Sequence, residues 1–288
     1  MILWSKNQEK LFFIKSQESV SIDQLFYLDN NGKYIAYWPK GYRGVKSTLQ
    51  SRNSLIGKYC EDWVGNLFKS LIEDEYYVIK QAIVPSLGIT SKSPADIVIA
   101  NKNKKILKAS DVKIIFEIKM SLVWNWQYDE KTGIIKEIGD LRTHQGKPSF
   151  TRSDSVLKAI GKGIDIRVSN FNSSKIPIIV IGNAPLSNGF CKKADYLKSA
   201  GIIQGFWSLN PFPLNHGNTR KTTPKNGFVK MNNTDELKEN LNQLFTSDLN
   251  FFSGMASPES IGKFIEVANL EDSYENKGLK FLNLVKRS

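Results

Sequence analysis

Hydrophobic positions along the chain change their period several times, and each change predicts an element. Ile56, Tyr59, Cys60, Trp63, Val64, Leu67, Phe68, Leu71 and Ile72 recur at steps of three and four. That is the spacing of an amphipathic helix, and Ser54 is placed to cap it. Residues 76–84 read as a strand, followed by a Pro/Gly turn region over 85–94. Short β-like runs follow at 96–100 and 112–120, separated by the turn-forming Asn101-Lys102-Asn103-Lys104-Lys105. Residues 153–162 suit a short basic helix. The unbroken apolar run 176–181 predicts a central strand buried on both faces. A further strand is expected over 202–209, a polar basic loop over 215–230, and amphipathic helices near 234–245 and 258–268. Helix, strands, helix, strand is the order of a mixed α/β core.

The first 30 residues read as a small mixed segment with apolar Leu11, Phe12, Phe13, Leu25 and Phe26. These patterns predict three regions. Residues 1–50 form an N-terminal extension serving DNA contact or dimerisation. Residues 51–214 form the core, and residues 215–288 a basic loop and C-terminal helical region packed on it.

Charge narrows the partner. The chain has 288 residues with 40 Lys+Arg against 28 Asp+Glu, a formal net charge of +12. A surplus of that size points to a polyanion, most often nucleic acid. Between Asp29 and Glu61 no acidic residue occurs, while Lys33, Lys40, Arg43, Lys46, Arg52 and Lys58 alternate with Tyr34, Tyr37, Trp38 and Tyr42. Cations neutralise phosphates and aromatic rings stack or wedge on bases. Lys40, Arg43, Lys46 and Arg52 are the expected DNA contacts here. Arg152 and Lys158 are expected contacts after the core motif, in a basic stretch that also holds Gln145, Lys147, Lys162 and Arg167, and Arg220 and Lys221 in the later loop.

Other chemistries are disfavoured. Two cysteines, Cys60 and Cys191, form no CxxC, and two histidines, His144 and His216, form no HExxH. There is no phosphate-binding GxxxxGK[ST] and no GxGxxG fingerprint. The apolar run around 176–181 is far shorter than the ~18–20 residues of a membrane span, and the start of the chain has no long apolar stretch like that of a signal peptide. A cytoplasmic protein is the expectation. Cys60, Trp124 and Trp126 read as core residues and His144 as a loop histidine.

One constellation carries chemistry. Residues two apart in a strand share a face, so Glu117 and Lys119 point together while Phe116 and Ile118 point into the opposite layer. Charged tips on an apolar strand are costly unless they meet a partner or a metal. Asp96 opens the preceding β-run, which a hairpin places alongside. Phosphodiester hydrolysis uses such a set. Asp96 and Glu117 suit Mg²⁺, with the Ile118 carbonyl as a third ligand, and Lys119 either positions the attacking water or stabilises developing charge. Glu61 lies at the border of the helical stripe. On helix geometry alone it reads as a surface glutamate, but it is also placed to complete the shell or hold a second metal. Of the three Glu-x-Lys triplets, Glu117-Ile118-Lys119, Glu236-Leu237-Lys238 and Glu275-Asn276-Lys277, only the first lies inside a β-run.

Pro94-Ala95-Asp96 followed by Glu117-Ile118-Lys119 resembles the PD-(D/E)xK nuclease superfamily, with type II restriction endonucleases nearest in size and layout. The likeness spans roughly residues 54–181. It departs in one respect, since Ala95 separates Pro94 from Asp96 where the family's proline usually precedes the acid directly. The resemblance implies a restriction-endonuclease-like core, a mixed central sheet flanked by helices with N- and C-terminal additions. It further implies Asp96 and Glu117 as metal ligands, Lys119 as the catalytic lysine and Glu61 as the accessory acid. The expected activity is Mg²⁺-dependent, sequence-specific cleavage of double-stranded DNA by a homodimer, with a DNA methyltransferase encoded beside it. The alternatives are a repair or nonspecific nuclease of the same superfamily, a non-catalytic DNA-binding protein, and a basic structural or ribosome-associated protein.

Overall fold

Two compact units make up the chain, Met1–Leu249 and Asn250–Ser288. The computed structural model describes residues 3–45, 47–246 and 258–287. In the first unit, α1 (Lys6–Ser16), α2 (Ile22–Leu25), β1 (Tyr27–Leu28) and β2 (Tyr34–Ile35) precede the long helix α3 (Gln50–Lys69). Then come β3 (Tyr77–Ala82), β4 (Ala95–Ala100), β5 (Val112–Ile118), β6 (Asn125–Tyr128), β7 (Ile135–Gly139) and α4 (Ser153–Ser169). The unit continues with β8 (Ile178–Gly182), α5 (Asn188–Ser199), β9 (Gly205–Ser208), β10 (Phe228–Lys230) and α6 (Thr234–Thr246). The second unit contains α7 (Pro258–Ala268) and α8 (Tyr274–Arg287), which pack on each other.

The central sheet has six strands in the order β10-β9-β8-β5-β4-β3. β4 runs antiparallel to both its neighbours, β3 and β5, and β5, β8, β9 and β10 are parallel to one another. The protein is therefore mixed α/β, with a mixed central sheet flanked by helices. Alternation decides which helix meets which face. Ile97, Ile99, Ile114, Phe116, Ile118, Ile179 and Ile181 join the core under α1, α3 and α6. Val98, Ile115, Val180 and Phe206 join the one under α4 and α5. β8 is buried along its whole length, as its unbroken apolar run requires.

The first 50 residues are not a separable extension. β1 and β2 pair with β6 and β7 in a second, four-stranded antiparallel sheet, and Phe12, Phe13, Leu25 and Phe26 are fully buried in the main core. The C-terminal boundary also moves. Residues 228–230 add β10 to the edge of the central sheet and α6 packs its buried Leu237 and Leu241 into the main core, so only the chain beyond Leu249 is a unit apart. Two elements extend past their expected ends because a buried arginine anchors each. α3 starts at Gln50, ahead of Ser54, where Arg52 Nη1 donates to the carbonyls of Leu25 and Ala36. α4 runs on to Ser169 around Arg167, which bonds the carbonyls of Gly201, Ile202 and Ser173 and the Gln204 amide. Cys60, Trp124 and Trp126 are core residues. His144 is buried rather than an open loop residue, stacked on Tyr37 at 4.3 Å. No helix among the described residues is long and apolar enough to cross a membrane.

Candidate functional site

The antiparallel ladder between β4 and β5 pairs Ile97 with Phe116. The next positions outward are Asp96 and Glu117, which therefore face each other on the sheet surface that α4 covers. Asp96 Oδ2 accepts the Ile118 backbone N–H at 2.6 Å, which ties the two strands together at this level. Lys119 Nζ donates to Glu117 Oε1 and lies 3.4 Å from the Ile118 carbonyl. From the helix above, Lys162 Nζ reaches Glu117 Oε2 at 2.6 Å, Asp96 Oδ1 at 3.9 Å and the Pro94 carbonyl at 2.8 Å. Two carboxylates and two ammonium groups thus meet at one end of the central sheet. Side-chain exposures of 15% for Asp96, 10% for Glu117, 21% for Lys119 and 20% for Lys162 leave the cluster a narrow opening to solvent.

The two acids respond differently to this crowding. Burial, and then the neighbouring Glu117 charge, push the Asp96 carboxyl up to about 7. Burial pushes Glu117 upward too, but the ammonium groups of Lys119 and Lys162 outweigh it and hold Glu117 below the ordinary carboxylate range. The pair divides the burden as close carboxylates do, one readily charged and the other reluctant.

Glu61 sits on α3, half-buried, and its carboxylate accepts from Gln81 Nε2 at 2.7 Å rather than meeting Asp96 or Glu117 directly. Burial raises its pKa, and the Glu117 charge adds to that, so it feels the cluster without belonging to it. Gln81 occupies the left-handed region at φ 51°, at the one level between Lys80–Ile97 and Ala82–Ala95 where the otherwise unshifted β3–β4 ladder makes no pair. A non-glycine residue held there costs on the order of 1–3 kcal/mol, and its amide donates to Glu61. Among the described residues no group of three or more Asp, Glu, His or Cys side chains is placed to hold a metal. The oxygen donors that converge are therefore two carboxylates and the Ile118 carbonyl, without Glu61.

A cleft of about 570 Å³ ends at Lys119. Lys119, Lys147, Arg152 and the buried Arg52 supply its cations, Tyr27, Tyr37 and Trp38 its rings, and among the described residues no acidic side chain lines it. Of the expected DNA contacts, Arg152 and Arg52 line this cleft, and only Arg152 is largely exposed. Lys158 is exposed and pairs with Asp154 on its own helix. Lys40, Arg43 and Arg220 are exposed but line other surface, and Lys46 lies outside the described residues. Arg52 is corrected: its side chain is buried at 2% exposure, and its guanidinium is spent on the Leu25 and Ala36 carbonyls and on the Tyr27 and Tyr37 rings. Lys221 is corrected likewise. Its ammonium ties the Lys230 carbonyl to Glu236 and so fastens β10 to α6.

Lys162 belongs to the cluster, although the sequence pattern singles out Lys158 as the phosphate contact on this helix. Both lie on α4, four residues apart. The buried positions Val156, Ala159, Gly163 and Ile166 put Lys162 beside the apolar stripe and Lys158 farther from it, a signal that helical periodicity carries. What periodicity leaves open is which part of the sheet that stripe covers.

No protein family, no curated protein and no solved structure matches the chain.

Proposed function

We propose that the chain is a Mg²⁺-dependent endonuclease of the PD-(D/E)xK kind, with a type II restriction-endonuclease-like core, which hydrolyses phosphodiester bonds at specific sites in double-stranded DNA. The observation that carries this reading is the meeting of Asp96, Glu117, Lys119 and Lys162 beside a cleft that Lys119 lines and that no acidic side chain lines among the described residues. A structural salt-bridge network needs no such cleft, and a binding module has no use for a reluctantly ionised aspartate beside a second carboxylate.

The donor set fits the metal. Asp96, Glu117 and the Ile118 carbonyl are hard oxygen ligands on adjacent strands, and Mg²⁺ takes one or two carboxylates and keeps several waters. Burial, and after it the Glu117 charge, raises the Asp96 pKa, and a bound cation would offset both. When bound, Mg²⁺ lowers the pKa of a water and offsets charge on the phosphate. The chain's own groups do the rest. Asp96 and Glu117 hold the cation against β4 and β5. Lys119, on the same face as Glu117 and open to the cleft, orients the attacking water and offsets charge on the scissile phosphate. Lys162 keeps Glu117 ionised and in place. Arg152 and Lys147 draw the backbone along the cleft. On a palindromic site a second copy supplies the second cut, and a DNA methyltransferase is the partner such an enzyme needs to spare its own genome.

Plasmid DNA incubated with the protein and Mg²⁺ tests this. Discrete fragments are expected, and a smear replaces site-specific cleavage with a nonspecific or repair nuclease. Absence of cutting with every divalent metal, together with equal DNA binding by wild type and Asp96→Ala, overturns the enzyme and leaves a DNA-binding module.

A further inference from the structure

A second gathering of cations lies at the far end of the central sheet. Lys113 stands at the start of β5 and Lys119 just past its end, so about 20 Å of extended chain separates them. Around Lys113 opens a cleft of about 1080 Å³. Lys102, Lys104 and Lys108 line it from the connection between β4 and β5, and Lys175 from the segment before β8. All five lysines are exposed. Asp111 is the one acidic side chain that lines the cleft among the described residues, and it is already engaged. Its Oδ1 lies 2.8 Å from Lys102 Nζ, and its Oδ2 accepts the Lys108 backbone N–H at 3.2 Å. The ammonium groups of Lys104, Lys113 and Lys175 have no ion-pair or hydrogen-bond partner among the described residues. Like charges gathered in a concave surface raise its potential and attract a counter-ion of matching valence.

The rest of the lining says which part of a polyanion fits. Phe245 is the one aromatic ring among the described residues that line it, half-buried and stacked on Tyr76 at 4.7 Å. Asn172 brings the one side-chain amide. A free nucleotide would find little there to hold its base, and readout of base edges uses planar amide and guanidinium groups. Ammonium groups are point charges that accept phosphate oxygens whatever the sequence.

We propose that this cleft is a second, sequence-independent DNA contact, which takes consecutive phosphates of a strand about 20 Å from the Asp96–Glu117 cluster. The proposal goes beyond the cleavage reading and does not rest on it, since the same contact serves a DNA-binding protein that cuts nothing.

Binding of duplex oligonucleotides of two unrelated sequences is measured on the full-length protein without metal, over a range of salt. One variant carries Lys104→Gln, Lys108→Gln, Lys113→Gln and Lys175→Gln. A control carries Lys10→Gln, Lys15→Gln, Lys33→Gln and Lys238→Gln, four exposed lysines outside the cleft, and so loses the same charge. The cleft variant is expected to bind both sequences about tenfold or more weakly, and its slope of log K against log salt is expected to fall by about 3. The control is expected to change the slope by less than about 1. Lysine acetylation mapped by mass spectrometry on the wild type, which needs no variant to fold, is expected to show Lys104, Lys108, Lys113 and Lys175 protected by duplex.

Equal losses in the two variants overturn the proposal, because charge alone then accounts for them. A loss confined to one sequence overturns it as sequence-independent contact. Protection of these lysines by inorganic tripolyphosphate and not by duplex overturns it in favour of a free oligophosphate. A wild type that binds no duplex overturns it as well. None of these measurements uses cleavage. Active plasmid cutting with equal losses in the two variants therefore removes the second contact alone, and the expected slopes without cutting remove the nuclease alone.

Discussion

Two regions of this molecule bury carboxylates, and they do so in opposite ways. Glu9, on α1, is fully enclosed. Its oxygens accept from Trp4 Nε1 at 3.2 Å, Val123 N at 2.6 Å, Trp124 N at 3.2 Å and Trp126 Nε1 at 2.9 Å. Asp96 and Glu117 are met by the ammonium groups of Lys119 and Lys162 at the end of a cleft. Burial pushes both Glu9 and Asp96 up to about 7, so a perturbed pKa does not by itself separate an enclosed clamp from a cluster that reaches solvent. The counter-groups do. Fixed N–H dipoles, supplied by the fold and shut away from solvent, hold α1 against the segment leading into β6. Ammonium groups of Lys119 and Lys162, a fifth exposed, meet the carboxylates of Asp96 and Glu117 instead, and on the proposed reading they give way to an incoming cation or phosphate.

The largest effect that tests this contrast is on cleavage. Asp96→Ala is expected to reduce plasmid cutting at saturating Mg²⁺ by about a thousandfold or more while the circular dichroism spectrum is retained. Glu9→Gln should lower cutting only in proportion to the folded fraction, and a thousandfold loss there would erase the distinction. Next in size is the stability of the clamp. Glu9→Leu leaves four N–H donors without an acceptor, and urea denaturation should show a loss of about 3–5 kcal/mol.

Metal linkage separates the regions from the other side. Mg²⁺ at a hundred times its dissociation constant should stabilise wild type by about 2.7 kcal/mol, seen as a rise in Tm. The rise should persist in Glu9→Gln and vanish in Asp96→Asn.

A smaller effect runs the opposite way. Removing a buried charge that the fold resists should make metal-free Asp96→Asn more stable than wild type at pH 8, by about 0.5–2 kcal/mol. That gain should fade as pH falls below 7 and wild-type Asp96 takes up its proton. The smallest test is the pH slope from Glu9. Its folded pKa is raised from 4.5 to about 7, so the folded state holds the proton more tightly than the unfolded chain does. The Glu9 contribution is complete below about pH 4.5 and is lost as pH rises through about 7. Thermal scans across that window should show a flatter dependence in Glu9→Gln than in wild type.

Much of this contrast was readable without coordinates, and the unreadable part has a pattern. Asp96, Glu117 and Lys119 could be placed on one face because strand alternation is a local rule, and the Ile97–Phe116 register then brings them together. Glu9 gave no signal, since its four donors come from Trp4 and from residues 123–126, remote in sequence. Arg52 sat in a basic, aromatic stretch that looked solvent-facing. Only the packing of α2, β2 and α3 made it a buried bracket. The edge strand β10 was hidden in a polar run because its three residues draw their pairing from β9, not from a pattern of their own.

By itself the sequence determined the α/β class, the two-faced burial of β8, the long stripe of α3 and the shared face of Glu117 and Lys119, all consequences of periods set by neighbouring residues. Only the tertiary structure decided that α4 brings Lys162 onto the carboxylates, that Glu61 turns to Gln81, and that Tyr27 joins Trp38 in the wall of a cleft. Those outcomes depend on where chain segments many residues apart come to rest, and no local period encodes that distance.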